Sequence, residues 1–247
     1  TDASMQGWGA VFQNVTTGDR WSLEESKQHI NSLELKAVLF GLQSLCASLQ
    51  NVHLRVRIDN STAVCYVNSM GGTVSDSCND IAISIWEWCI ERNIWLSASH
   101  IPGKDNQTAD HASREFNDRI EWALHKHVFS DITNILGLPS VDLFASRLNH
   151  KLQEYVSWKP DPSALCSDAF SMSWSGKLKY IFPPFSLMNR CLQKLALDKG
   201  QAIIIAPVWP TQCWFPLLMQ MIVATPLALP KHCISLPYNA TEKSPPN

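Results

Sequence analysis

Four acidic residues stand where the chain changes element: Asp2, Glu34, Asp59 and Asp110. Asp2 lies in an extended opening segment. Glu34 falls in the first turn of a long segment with helical apolar spacing, and Asp59 ends the alternating run VHLRVRI. Asp110 sits in the first turns of a polar helical segment. In an α/β sheet, strand ends and helix starts gather at one edge, where sites form. Carboxylates brought together there repel one another strongly. Hard divalent cations, which take oxygen ligands, relieve that repulsion. Two such ions about 4 Å apart can activate a water and stabilise the leaving oxygen of a phosphodiester. Each acid also has a plainer use. Glu34 can complement a helix dipole, Asp59 can cap the next helix, and Asp110 can be an exposed helix acid. Their order, with these elements between them, favours the shared site.

The elements that must position these acids follow from periodicity. Residues 8–13 alternate, Thr17-Gly18-Asp19 reads as a turn, and 20–23 resumes as a strand, so a hairpin is expected. Asn31 or Ser32 can cap a helix running to about Gln50, with Leu35, Val38, Leu39, Leu42, Leu45 and Leu49 at helical spacing. The alternating residues 52–58 predict a strand. Short helices follow over 61–69, stopped by Gly71-Gly72, and over 77–92. Residues 94–99 predict a strand, Pro102-Gly103 a turn, and 106–126 a helix. The order β-β-β-α-β-α-α-β-α is an α/β class with a mixed sheet. Because the chain opens inside a strand and lacks an initiator Met, it reads as a fragment of something longer.

The segments TDAS, GWGAVF, SLELKAV, IDNSTAV and HIPGKDNQTADHASR together resemble the ribonuclease H domain of a retroelement reverse transcriptase of the DIRS group. The likeness covers residues 1–125. It implies a five-stranded mixed sheet with flanking helices, and cleavage of the RNA strand of an RNA–DNA hybrid with two Mg²⁺, or Mn²⁺, leaving 3′-hydroxyl and 5′-phosphate ends. It further implies that Asp2 bridges both ions, that Glu34 and Asp59 complete one site, and that Asp110 completes the other. Discrimination of RNA requires contact with the 2′-hydroxyl. Asn60, Ser61 and the backbone near Gly7 are the candidates for substrate contact. His100 lies ten residues before Asp110, the spacing of a mobile catalytic His in cellular members, and Asn106 matches the family's Asn four before the acid. The plainer reading of His100 is a strand-end residue packed under the turn, and of His111 a helix-surface residue.

The second half carries a different texture, rich in proline. Residues 141–144 and 202–206 read as buried strands and 188–198 as a helix. Val141-Asp142-Leu143-Phe144-Ala145-Ser146, Asn149, Asp168-Ala169-Phe170, Trp174 and Tyr180-Ile181-Phe182-Pro183-Pro184-Phe185-Ser186 resemble phage-type adenine-N6 DNA methyltransferases. That likeness implies a second, smaller Rossmann-like α/β domain over 126–238, with residues 239–247 a disordered tail. In active members a polar residue opens the Pro-Pro motif and accepts a hydrogen bond from the adenine amino group of a flipped base. Here that position is Phe182, and no glycine-rich turn for S-adenosylmethionine follows Phe144. Methyl transfer is therefore expected to be lost or strongly altered.

Composition bounds these readings. The 247 residues are 45% hydrophobic and 17% charged, which excludes a disordered or fibrous chain. Residues 1–125 hold 9 Lys/Arg against 15 Asp/Glu, and residues 126–247 hold 11 against 7. The near-neutral total thus hides an acidic half beside a basic one, and the basic half suits a module resting on phosphates or an ordinary solvated surface. The eight cysteines include no C-x-x-C, so buried free thiols, a reducing intracellular setting in cytoplasm or nucleus, and no disulfide-linked partner are expected. Residues 214–230 are too broken by proline for a membrane span and read as core. Trp86, Trp88 and Trp95 read as core. The expected partners are an RNA–DNA hybrid and the rest of a reverse transcriptase polyprotein. A non-catalytic nucleic-acid scaffold and a methyltransferase are the competing readings.

Overall fold

A computed structural model describes residues 1–116 and 122–235. The expected tail at 239–247 and residues 117–121 of the helix expected over 106–126 lie outside the described residues. The described part corrects that helix, which ends at Arg114 where Glu115 turns extended, while Ala123–Leu124 is a strand. The chain divides into two compact units. The first comprises residues 1–116 with 160–163, and the second the remaining described residues.

Unit 1 opens with β1 (Asp2–Ala3), β2 (Gly7–Phe12) and β3 (Val15–Arg20), an antiparallel sheet in that order. The hairpin turn is not at Thr17-Gly18-Asp19, as the sequence suggested, but at Gln13 and Asn14, with φ of 47° and 66°. Two consecutive left-handed residues make the tight turn whose twist matches paired strands. Gly18 instead lies inside β3 opposite Gly9. A strand glycine marks close approach of other backbone, and that is its use here, as described below.

Helix α1 (Ile30–Leu45) follows, and His29 rather than Asn31 or Ser32 caps it, its side chain accepting from the Asn31 N–H. It ends at Leu45, earlier than the apolar spacing implied. Strand β4 (His53–Ile58), α2 (Ser61–Asn68), α3 (Asp76–Ile90), β5 (Trp95–His100) and α4 (Gln107–Arg114) complete the unit. β4 and β5 are parallel, and α2 and α3 form the crossover between them. The strands therefore pair as sheets of three and two rather than as one continuous ladder of five. Short β1 leaves room for little more than the bond from the Thr1 nitrogen to the Arg57 carbonyl, 2.9 Å, that links the two sheets. On the far side of β5, the Asn68 amide donates to the Ala98 carbonyl and accepts from the Ala98 N–H, at 2.9 and 2.8 Å.

The core of this unit joins Leu35, Val38 and Leu42 of α1 to Ile58, Val67, Ile85 and Leu96. Ala3, Trp8, Trp21, Leu33 and Ala37 form a second cluster between the antiparallel sheet and α1. Trp86 and Trp88 are buried as expected, but Trp95 is 59% exposed, because its position on β5 turns the ring outward.

Unit 2 contains β6 (Ala123–Leu124), α5 (Lys126–Leu136), β7 (Val141–Asp142), β8 (Val156–Ser157), β9 (Cys166–Ser167), β10 (Lys179–Ile181), α6 (Met188–Asp198), β11 (Ala202–Ile204), α7 (Phe215–Met221) and β12 (Ile234–Ser235). Its main sheet is parallel, in the order β11-β10-β7. The strands expected over 141–144 and 202–206 are shorter than their apolar runs. Residues 214–230 are not wholly core: Trp214 is buried against Met188 and Leu192, while Val223 is 90% exposed. Only one side of α7 meets other apolar side chains. All eight cysteines are free, five of them buried, with Cys65 and Cys213 exposed. Among the described residues, no helix is long and apolar enough to cross a membrane.

Helix α4 lies directly on β2 and β3. A Cβ at Gly9 would fall on the Ala109 carbonyl and 2.8 Å from the Ala112 methyl, and one at Gly18 would meet the Trp8 and Ala112 carbonyls. Backbone cannot yield as a flexible side chain does. Gly9→Ala is accordingly expected to lose about 1–3 kcal/mol of stability, the range for overpacking, as measured by urea denaturation.

Candidate metal centre

Three of the four acids converge. Asp2, Glu34 and Asp59 each offer a carboxylate oxygen, and these oxygens lie within 4.8 Å of one another. Asp2 comes from the two-residue strand β1, Glu34 from the second turn of α1, and Asp59 from the residue after β4. Asp2 and Glu34 are buried, and Asp59 is partly exposed. Glu34 shares its helix with Leu33 and Leu35, both wholly buried, so the acid projects from an element anchored on either side of it.

Burial raises the proton affinity of Asp2 and Glu34 despite nearby positive charge. Desolvation pushes Glu34 from the usual 4.5 up to about 8, with the charges of Asp2 and Asp59 adding to the rise. Desolvation also raises Asp2, opposed by its hydrogen bond from Ser113 and increased by the charges of Asp59 and Asp110. One oxygen of Glu34, Oε2, is buried without a hydrogen-bond partner. Buried polar atoms are nearly always satisfied, so an orphan oxygen on a carboxylate grouped with two others suits a cation.

Asp110 is placed beside this group but is not drawn into it. Its Oδ1 accepts from Arg114 Nε at 2.7 Å, one helical turn along α4. Asp110 still acts on Asp2, and Arg114 is held charged by Asp110 first and by Asp2 and Asp59 further off. Arg114 is thus one cation beside the site, and the Thr1 ammonium, which acts on Glu34, is another.

The remaining candidates have definite positions. The His100 ring lies at the end of β5, exposed, with Nε2 3.1 Å from the Asp59 carbonyl oxygen. His111 is on the exposed face of α4, 3.1 Å from Glu115. Asn106 donates its amide to the Thr1 carbonyl at 2.9 Å, and so holds the strand that bears Asp2. Asn60 caps α2, accepting from Ala63 N–H at 2.9 Å and donating to Asn31 Oδ1 at 3.0 Å. Ser61, the first residue of α2, is exposed. Gly7 is packed so closely that a Cβ there would strike the Asp19 carbonyl and the Phe116 ring.

Two functional neighbours escaped the sequence reading. Ser113 Oγ donates to Asp2 Oδ2 at 2.6 Å, and Gly103 leaves room for the Asp59 carboxylate, which would stand 3.1 Å from a Cβ. The offset of Ser113, three residues after Asp110, puts the two on one helix face and could have flagged Ser113, whereas Gly103 carried no such signal.

In unit 2 a cavity of about 380 Å³ opens beyond the carboxyl ends of β7 and β10, lined by Phe144, Asn149, Trp158, Phe170, Pro184 and Arg190 among others. Arg190 stacks on Phe170 with its guanidinium 3.7 Å from the ring centre. Next to Leu143 in the chain, buried Asp142 accepts from the Phe144 and Lys151 N–H groups, yet burial raises its carboxyl to about 6.

No protein-family model matches the chain. Over 130 residues it is 28% identical to the enzymatic polyprotein of cauliflower mosaic virus, strain D/H, and equally to that of strain Strasbourg. The match covers 47% of this chain and 19% of each relative, so the chain spans about a fifth of the length of the curated relatives it matches. Among solved structures, RNase H1 from the halophilic archaeon Halobacterium salinarum NRC-1 is similar at a TM-score of 0.34 and 17% identity, over 40% of this chain and 73% of that one.

Glu34 makes metal-free stability depend on pH in a defined direction. Below its ordinary 4.5 the group is protonated folded or unfolded and costs nothing. Between 4.5 and about 8 only the unfolded chain ionises, so folding takes up a proton and stability falls as pH rises. Denaturation in a chelator should therefore show a loss of roughly a few kcal/mol between pH 5 and 8. That loss should be largely absent in Glu34→Gln and reversed by millimolar Mg²⁺. An unchanged slope in the variant would exclude this role of Glu34.

Proposed function

We propose that unit 1 is a metal-dependent ribonuclease H that cuts the RNA strand of RNA–DNA hybrids, as one module of a retroelement polyprotein. The observation that carries this is the three-acid group with an unsatisfied, buried Glu34 oxygen. Asp2, Glu34 and Asp59 would hold one divalent ion, and Asp110, once released by Arg114, would join Asp2 around a second. Bound Mg²⁺ or Mn²⁺ would supply activation of water and stabilisation of the leaving 3′-oxygen.

The chain's own residues do the rest. Glu34 and Asp2 are fixed by burial and Asp2 by the Ser113 hydroxyl, so the carboxylates are arranged before any ion arrives. Asn106 and the Thr1–Arg57 bond keep β1 in place beside β4. His100, exposed beside Asp59, stands where it can reach a phosphate or a departing product, and Ser61 is exposed at the head of α2. The similarity to a segment of a viral enzymatic polyprotein supports a place within a longer chain.

For unit 2 the reading is a nucleic-acid-binding module without methyl transfer. Phe182 offers a hydrocarbon ring where an amino group would need an acceptor, and that ring packs against the core containing Phe129 and Tyr180. Incubation of the full chain with labelled S-adenosylmethionine and unmethylated duplex should transfer no label; transfer would overturn this reading.

The central test is cleavage. A labelled RNA–DNA hybrid with Mg²⁺ should be cut by the full chain, with ends bearing 3′-hydroxyl and 5′-phosphate. Cutting should stop in chelator and fall to background in Asp59→Asn. Binding of the hybrid without cleavage would favour a scaffold instead, and equal cleavage by the variant would remove the acids from the reaction.

A further inference from the structure

Ser113 is wholly buried in the last turn of α4, and its hydroxyl is shared between one carboxylate and one main-chain carbonyl. Oγ lies 2.6 Å from Asp2 Oδ2 and 2.8 Å from the Asp110 carbonyl oxygen. A helical serine ordinarily returns its proton to a carbonyl in the preceding turn. Here one proton faces two acceptors, and the shorter contact goes to the carboxylate. Its length is that of a charge-assisted O–H···O⁻ bond.

The serine is itself held. Ser4 Oγ donates to the Ser113 carbonyl at 2.6 Å, and Trp21 Nε1 donates to the Ser4 carbonyl at 2.8 Å. Ser4 Oγ also accepts from the N–H groups of Gln6 and Gly7. A chain of buried bonds thus runs from the core tryptophan through the β1–β2 turn to α4 and back to Asp2. The terminal torsion of an aspartate is broad and left loose by rotamer preference alone. A fixed donor on one oxygen sets the plane of the carboxylate and hence the direction of the other oxygen.

We propose that Ser113 is a positioning residue of the metal centre, which orients the Asp2 carboxylate toward Glu34 and Asp59. This rests on the metal-site reading above. Partners that orient a ligand in this way typically change metal affinity by about 10–100-fold when removed.

The test titrates the full chain with Mn²⁺ by calorimetry, without nucleic acid, and compares Ser113→Ala with the shape-matched pair Ser113→Thr and Ser113→Val. Asp2→Asn serves as the control, and melting in chelator reports folding. Ala and Val should weaken Mn²⁺ binding at least about tenfold, while Thr, which keeps the hydroxyl, should stay close to wild type. In hybrid cleavage the Mg²⁺ concentration at half-maximal rate should rise for Ala and Val, with the KM for hybrid unchanged. Wild-type affinity in Ala, or equal loss in Thr and Val, would overturn the assignment. If Ala does not fold, the Thr and Val comparison decides alone. If wild type shows no saturable Mn²⁺ binding that Asp2→Asn abolishes, the metal-site reading itself falls, and this assignment with it.

Discussion

Three carboxylates held within 4.8 Å of one another, two of them buried, oppose folding by their mutual repulsion. Much of unit 1 can be understood as the means of bearing that opposition. Glu34 is kept in place by wholly buried leucines on either side, and protonation relieves its charge while no ion is present. Asp2 is tied to Ser113, and Arg114 lends a positive charge from the next position on α4. Neither Ser113 nor Arg114 would meet the acids if α4 stood a residue's width higher. The bare faces of Gly9 and Gly18 therefore belong to the electrostatics of the centre as much as to packing.

The order of elements in unit 1 was legible because its apolar patterns are long and periodic. The run VHLRVRI alternates over a half-covered strand, and α1 repeats leucine at helical spacing. Acids at the junctions of such elements could be placed at one edge by topology alone. Local backbone choices were not legible in the same way. Thr17-Gly18-Asp19 has turn composition, yet Gln13 and Asn14 make the turn, because Gly18 is required by a helix more than ninety residues away in the chain. His29 as a cap was missed because imidazole is an uncommon acceptor at that position. Ser113 was missed because a helical serine is unremarkable until its neighbour across the fold is known.

Unit 2 shows the opposite balance. Its motif residues stood out in the sequence, while its strands are brief and its apolar runs extend past them. Residues 141–144 and 202–206 look like strands, but only two and three residues of each are in the ladder. Leu143 and Ile205 still donate to β10 carbonyls, while Phe144 lines the cavity and Ala206 packs with α6 and α7. Apolar runs mark burial, and burial by loops leaves the same trace as burial in a sheet. Phe182 illustrates the point: its composition excludes one hydrogen bond by itself, whereas its place against the core becomes visible only with Phe129 and Tyr180 beside it.

The pairing of Asn68 with Ala98 has a further effect. A strand at the margin of a sheet exposes peptide groups that can recruit another copy and seed fibril growth. One side-chain amide, offering a donor and an acceptor at once, occupies both peptide groups of Ala98 on that margin. An incoming strand would have to expel Asn68 before its own ladder could form. At Ala98 the margin of β5 is thereby already satisfied within its own chain.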